Sequence, residues 1–224
     1  MNNSNLLLSI AVLGGTGKEG KGLAYRWARA GYHVRIGSRS AEKAIAAANE
    51  IREMLGDGVS IEGMTNIEAA RDANIAVLTV PYSAHRDTLE SVTDELKGKI
   101  LVDVTVPLVP PKVATVQMPA AGSAAQEAKQ ILGDDVQVCA AFQNIGYDHL
   151  LGDSEVECDV LVTGSSKDAR AETIKLVEAT GLRGWDAGPI ENSMVIEGMT
   201  SILIGINKKY GSTHAGIKIT GIEH

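Results

Sequence analysis

Ser9-Ile10-Ala11-Val12-Leu13-Gly14-Gly15-Thr16-Gly17-Lys18-Glu19-Gly20-Lys21-Gly22-Leu23 is the stretch that decides the fold. From Leu6 and Leu7 through Leu13 the chain is apolar and rich in strand formers, and it then breaks at glycine. Such a run reads as a strand buried on both faces, as in a parallel sheet. From Glu19 to Ala30 the period changes, and Leu23, Trp27 and Ala30, with Ala24 and Ala28, share one helical face. Gly31 stands where a helix C-terminus wants a left-handed residue, and Tyr32 to Ile36 reads as a second strand.

Gly15, Gly17 and Gly20 thus form G-x-G-x-x-G between a strand and a helix. Gly15 is assigned to the tight turn, Gly17 to close backbone approach by a pyrophosphate, and Gly20 to helix–sheet packing. The helix N-terminus adds free N–H groups and roughly half a positive charge. In this strand–turn–helix–strand setting the motif predicts a dinucleotide site rather than a plain structural turn.

The end of the second strand selects the dinucleotide. An NAD site places Asp or Glu about 20 residues beyond the glycines, to hold the ribose 2′-hydroxyl. Here the chain reads Gly37-Ser38-Arg39-Ser40, with no acid, and Lys43 follows one helical turn on. Arg39 matches a phosphate as a planar bidentate donor, and Ser38 and Ser40 offer hydroxyls. The reading is the 2′-phosphate of NADP. The plainer alternative makes Ser40 a helix cap and leaves Arg39 and Lys43 solvated.

The 224 residues suffice for one sizeable core, or one domain with a small appendage. With 44% hydrophobic and 22% charged residues the composition is that of a soluble globular protein. A net charge of −7 argues against general nucleic-acid binding, so an anionic cofactor must be held by local cations. Cys139 and Cys158 lie in apolar strand-like stretches and read as reduced, buried thiols of a cytoplasmic protein. The apolar N-terminal run is too short for a membrane span and lacks the basic residues of a signal peptide. The histidines His33, His85, His149, His214 and His224 show no ligand spacing, so no metal is expected.

The rest of the chain alternates. Helices are predicted over 41–55, from Thr65 (with the Thr65/Glu68 capping box) through Ala73, over 83–96, and from Ser123 to Leu132 with a second capping-box spacing. Strands are predicted at 59–61, 75–80, 100–104 and 136–142. This order means βαβ units and an α/β doubly wound parallel-sheet Rossmann fold over residues 1–145. Residues 107–122, with Pro107, Pro110 and Pro111, form a loop long enough to be functional. Residues 146–224 read as a small C-terminal α+β/helical domain for substrate and dimerisation, with strands at 159–164 and 183–187 and a helix over 167–180. Its last helix, about 192–207, is apolar almost all round, so it crosses the core or forms a homodimer interface.

The chain resembles a known family. Residues 12–17, 20–24, Gly37-Ser38-Arg39, 76–81, Asp186-Ala187-Gly188-Pro189 and Ala215-Gly216-Ile217-Lys218 are similar to the NADPH-dependent coenzyme F420 reductases (F420:NADP oxidoreductases) over nearly the whole length. The resemblance implies a Rossmann domain with a small C-terminal domain, and hydride exchange between NADP(H) and a deazaflavin, coenzyme F420. It implies that Gly15, Thr16, Gly17, Ser38, Arg39 and Lys43 hold NADP, and that Val80-Pro81 lies along the nicotinamide half. The segment after Phe142 would then face the deazaflavin, with Gln143 standing where many relatives carry histidine. Gln143 and Asn144 match the carbonyl and N–H edge of its pyrimidine ring, Ile145-Gly146 follows, and Arg183, Lys208 and Lys209 are candidate cations for its anionic tail.

No Ser/His/Asp constellation, paired carboxylate motif or activated cysteine is visible in the sequence. Hydride transfer between stacked rings needs mostly positioning and water exclusion. Two alternatives stand beside it. An imine or carbonyl reductase would need a proton donor, for which Tyr82, His85 and Tyr147 are candidates. A non-catalytic NADP-binding sensor would bind the cofactor without turnover.

Overall fold

The computed structural model describes residues 8–152 and 155–222; Leu6, Leu7 and His224 lie outside the described residues. The strands are β1 (Ser9–Leu13), β2 (His33–Ser38), β3 (Ile61–Thr65), β4 (Ile75–Leu78), β5 (Ile100–Asp103), β6 (Gln137–Ala140), β7 (Asp159–Gly164) and β8 (Arg183–Pro189). The helices are α1 (Lys18–Arg29), α2 (Ala41–Leu55), α3 (Asn66–Asp72), α4 (His85–Ser91), α5 (Thr93–Leu96), α6 (Ala124–Leu132), α7 (Lys167–Ala179) and α8 (Ser193–Tyr210).

All eight strands join one sheet in the order β3-β2-β1-β4-β5-β6-β7-β8. β1 to β6 are parallel, with Val12 opposite both Ile36 and Val77. Side chains alternate across the pleat. Ile10 and Val12 join α1, α2 and α7 on one face, while Ala11 and Leu13 join α3, α4 and α6 on the other. Every residue of β1 from Ile10 onward is therefore buried, the physical reason for the unbroken apolar run. Chain order reverses between β1 and β4, so a crevice opens beyond their carboxyl ends.

Most boundaries follow the sequence reading, although β4 and β6 each end two residues short of the expected 75–80 and 136–142, at Leu78 and Ala140. Gly31 takes φ 91° after α1, and the Thr65/Glu68 capping box is present in full. Three further details differ. β3 begins at Ile61 rather than Val59, because Glu62 and Gly63 hide its period; Gly63 lies against the backbone of α2, where a Cβ would come 2.2 Å from Ala44 C. The single helix expected over 83–96 breaks at Val92, and Thr93 Oγ1 bonds back to Leu89 O at 3.0 Å. Ser123 caps α6, but Gln126 returns no bond, its Oε1 being buried without a partner.

Past β6 the direction changes. β7 runs antiparallel to β6, with Ala140 opposite Thr163, and β8 runs parallel to β7. The C-terminal strands thus extend the same sheet. The segment before β7 and the helix α7 are fastened to α1 by Trp27 Nε1 donating to Leu176 O (2.9 Å) and Arg26 donating to Leu150 O and Thr180 O, both at 2.8 Å. α8 is not buried on every side within one chain. Ile196 and Leu203 pack inward, whereas Val195, Ile202 and Ile206 are 62%, 55% and 41% exposed. One sheet gives a helix only one face to cover, whatever the composition of the others. Among the described residues no helix is long and apolar enough to cross a membrane.

Candidate functional site

A cleft of about 700 Å³ lies over the carboxyl ends of the parallel strands. Its walls are the start of α1, the segments after β4, β5 and β6, the inner face of α8 and the chain after α8.

At the α1 end the glycines divide the work differently from the sequence reading. The left-handed residue of the turn is Gly14 (φ 70°), not Gly15. Gly15 is required for space: a Cβ there would lie 2.7 Å from Val12 O, and its N–H donates to Gly37 O at 3.0 Å. A Cβ on Gly20 would lie 2.6 Å from both Gly15 Cα and Thr79 Oγ1, so α1 sits directly on the loop and on the end of β4. Gly17 has nothing within 4 Å of its would-be Cβ and lines the cleft. α1 also starts without a side-chain cap, the vacancy an anion can fill. Thr16 stands half-buried in the same loop. Asn66, which the sequence reading missed, clamps the turn by accepting from Gly14 N at 3.1 Å. No local pattern could reveal it, since the partners are 52 residues apart.

The second cofactor element lies at the end of β2. Ser38 is nearly buried, and its Oγ accepts from Ser40 N at 3.3 Å. Ser40 Oγ is taken up as the α2 cap, accepting from Lys43 N (3.4 Å) and donating to Glu42 Oε2 (2.6 Å). Arg39 and Lys43 are exposed, and among the described residues neither forms an ion pair. Two free cations beside a hydroxyl fit a phosphate, with Ser40 reduced to the capping role.

The opposite wall is built around Asp103, fully buried at the end of β5. Its Oδ2 pairs with His85 Nε2 at 2.7 Å and its Oδ1 accepts from Thr105 N at 2.9 Å. Its backbone carbonyl accepts from Gln143 Nε2 at 2.8 Å. Val80, Pro81, Thr105, Gln143, Asn144 and Ile145 all line the cleft. Thr200 of α8 donates to Gln143 O at 2.8 Å, which ties the helix to this strand end. Gln143 Oε1 and Asn144 Oδ1 are buried without partners, and both residues border the cleft. Phe142 just before them takes φ 73°, a strained state for a bulky residue that costs about 1–3 kcal/mol. Its ring is fixed edge-on against Trp27, with centroids 5.9 Å apart.

The candidate proton donors separate. His85 is 1% exposed and faces Asp103 rather than the cleft. Tyr82 lines the cleft, but its hydroxyl donates to Glu127 Oε2 at 2.8 Å; burial and that carboxylate push it up to about 12. Tyr147 lines the cleft under Lys18 Nζ, 5.1 Å from the ring centroid. Arg183 does not reach the cleft and stacks on Trp185 at 4.3 Å. Lys208 and Lys209 are exposed at the end of α8 and do not line it either. Cys139 and Cys158 are free and buried, and burial raises both thiols, Cys139 to about 11. Neither is a nucleophile near neutral pH.

Comparison with known proteins places this geometry. The sequence family described as "NADP oxidoreductase coenzyme F420-dependent" matches residues 9–107. The F420-dependent NADP reductase of Methanothermobacter marburgensis is 44% identical over 223 residues, 96% of this chain and 99% of the relative. That of Methanocaldococcus jannaschii is 39% identical, over 96% of this chain and the whole of the relative. A crystal structure from Arthrobacter sp. FB24, provisionally described as an F420-dependent NADP-reductase, superposes with a TM-score of 0.79 at 22% identity. It covers 96% of this chain and all of its own, and at that identity it shows the shared fold. With relatives this similar over nearly its full length, the chain belongs to the F420-dependent NADP reductases, a family of NADP-dependent oxidoreductases.

Proposed function

We propose that the protein transfers a hydride between NADP(H) and the deazaflavin coenzyme F420. The observation that carries this is the single cleft that joins the Gly17 end of a dinucleotide loop to the Gln143–Asn144 amides. Gly15, Thr16, Gly17 and Gly20 would place the pyrophosphate at the start of α1. Ser38, Arg39 and Lys43 would hold the 2′-phosphate, and Val80 and Pro81 would flank the nicotinamide. Gln143, Asn144 and Ile145 would face the deazaflavin. When bound, the two cofactors supply the hydride donor and acceptor; the protein aligns them and excludes water. The unpartnered Gln143 Oε1 and Asn144 Oδ1 support the reading, because buried acceptors without partners are costly unless a ligand supplies donors.

The same reading takes residues 146–224 as the substrate and dimerisation part of a cytoplasmic homodimer. The exposed Val195, Ile202 and Ile206 of α8 support it. A monomer mass by light scattering at micromolar protein would remove the dimer. An imine or carbonyl reductase is less well supported, since His85 and the Tyr82 hydroxyl are both engaged elsewhere. The test is a stopped-flow single turnover with NADPH and oxidised deazaflavin, in which the deazaflavin absorbance bleaches. No bleaching at high concentrations of both would refute the function.

A further inference from the structure

Glu19 is a carboxyl that none of the cofactor contacts above engages. It stands in the first turn of the 12-residue α1, two residues beyond Gly17, and lines the cleft half-buried. Thr79, Val80 and Pro81 line the same cleft as Glu19. Among the described residues it has neither a hydrogen bond nor an ion pair. The charged and titratable side chains next to it in sequence and along the cleft are already engaged. Lys18 reaches Asp148 at 3.9 Å, Lys21 pairs with Glu50 of α2 at 2.8 Å, and the Tyr82 hydroxyl goes to Glu127. Tyr147, from the segment packed on α1, lines the same cleft, and Asp148 follows it.

An unpaired carboxyl on an apolar wall must take a proton or meet a positive charge. The oxidised nicotinamide ring carries a positive charge and the reduced ring carries none. We propose that Glu19 is the residue that reads this difference: a carboxylate against the oxidised ring and a neutral acid against the reduced one. NADP⁺ binding then releases a proton that NADPH binding does not. Burial already pushes the Glu19 carboxyl up to about 8, so at neutral pH the free protein holds the proton that NADP⁺ would displace.

The inference rests on the reading that the nicotinamide lies along Val80 and Pro81, and one experiment separates the two. NADP⁺ and NADPH are titrated calorimetrically into the full chain at pH 7, in two buffers of different ionisation heat. The expected result is binding of both, with NADP⁺ releasing more protons than NADPH by a sizeable fraction of one proton. NADP⁺ affinity should also rise with pH toward 8, by up to tenfold per pH unit, while NADPH affinity stays flat. In Glu19→Gln and Glu19→Leu both cofactors should still bind, with equal proton counts and a flat affinity ratio. Binding of both cofactors with equal proton counts in the unmutated protein overturns the Glu19 role and leaves the cofactor site standing. A difference that persists in both variants overturns it as well. Failure of either cofactor to bind overturns the site and the inference together.

Discussion

Two glycines of one motif should fail in opposite ways when each is replaced by alanine. In Gly20→Ala the new methyl lies 2.6 Å from Gly15 Cα and 2.6 Å from Thr79 Oγ1. Gly15 Cα is backbone and cannot rotate away, so α1 must lift off the loop. Overpacking of this kind costs about 1–3 kcal/mol, and the better helix propensity of alanine returns up to about 1. The net loss of about 1–2 kcal/mol should lower the melting temperature by roughly 2–8 °C for a chain of this size. In Gly17→Ala the methyl meets nothing within 4 Å, and φ −75°, ψ 169° suit alanine. The narrower unfolded ensemble, worth about 0.4–1 kcal/mol, roughly offsets the poorer N-cap. Stability should therefore stay within about 2 °C. The methyl would instead occupy the face where the pyrophosphate approaches, weakening NADPH binding by about tenfold or more, or 1.4 kcal/mol. Differential scanning fluorimetry and NADPH titration read the two effects separately. Unchanged NADPH affinity in Gly17→Ala would refute the assigned approach, and an unchanged melting temperature in Gly20→Ala would refute the packing.

Arg39→Ala should weaken NADP binding by about 1.5–3 kcal/mol and NAD binding little, because its guanidinium is free to meet only the extra phosphate; equal losses in calorimetry would exclude that contact. Gln143→Ala removes the 2.8 Å bond to Asp103 O and should slow deazaflavin reduction while leaving NADP affinity within about twofold, or 0.4 kcal/mol. A single-turnover rate equal to that of the unmutated protein would count against it. Glu197, fully buried in α8, is pushed by burial from 4.5 up to about 8 although it accepts from Ala124 N and Ala125 N. A folded value above the unfolded one means its contribution to stability is present below pH 4.5 and is lost as pH rises through 8. The whole span is worth at most about 5 kcal/mol. Glu197→Gln should flatten the fall of melting temperature between pH 5 and 9, whatever constant offset it adds, and an identical slope would disprove the linkage.

The order of elements was legible because burial leaves a mark on the chain. A strand covered on both faces must be apolar at every position, as β1 from Ile10 onward and β4 are. A helix covered on one face must repeat its apolar residues every three or four positions, as Leu23, Ala24, Trp27 and Ala28 do, whereas Ala30, expected on that face, lies past the end of α1 and is exposed. Caps and glycines act over three or four residues, so Thr65, Ser40 and Gly31 could be read where they stand. The absence of an acid after β2 was likewise a local fact. Only the tertiary structure decided the rest. It places Asp103, Gln143 and Thr200, from β5, the segment after β6 and α8, in one hydrogen-bonded wall. It sets Asn66 under Gly14 and turns Glu197 to the amides that begin α6. It moves Arg183 onto Trp185 and away from the cleft, and it leaves one apolar face of α8 uncovered. These are contacts between residues tens of positions apart. A side chain's partners at that separation depend on how strands are ordered and which way β7 runs, and hydrophobic period carries neither.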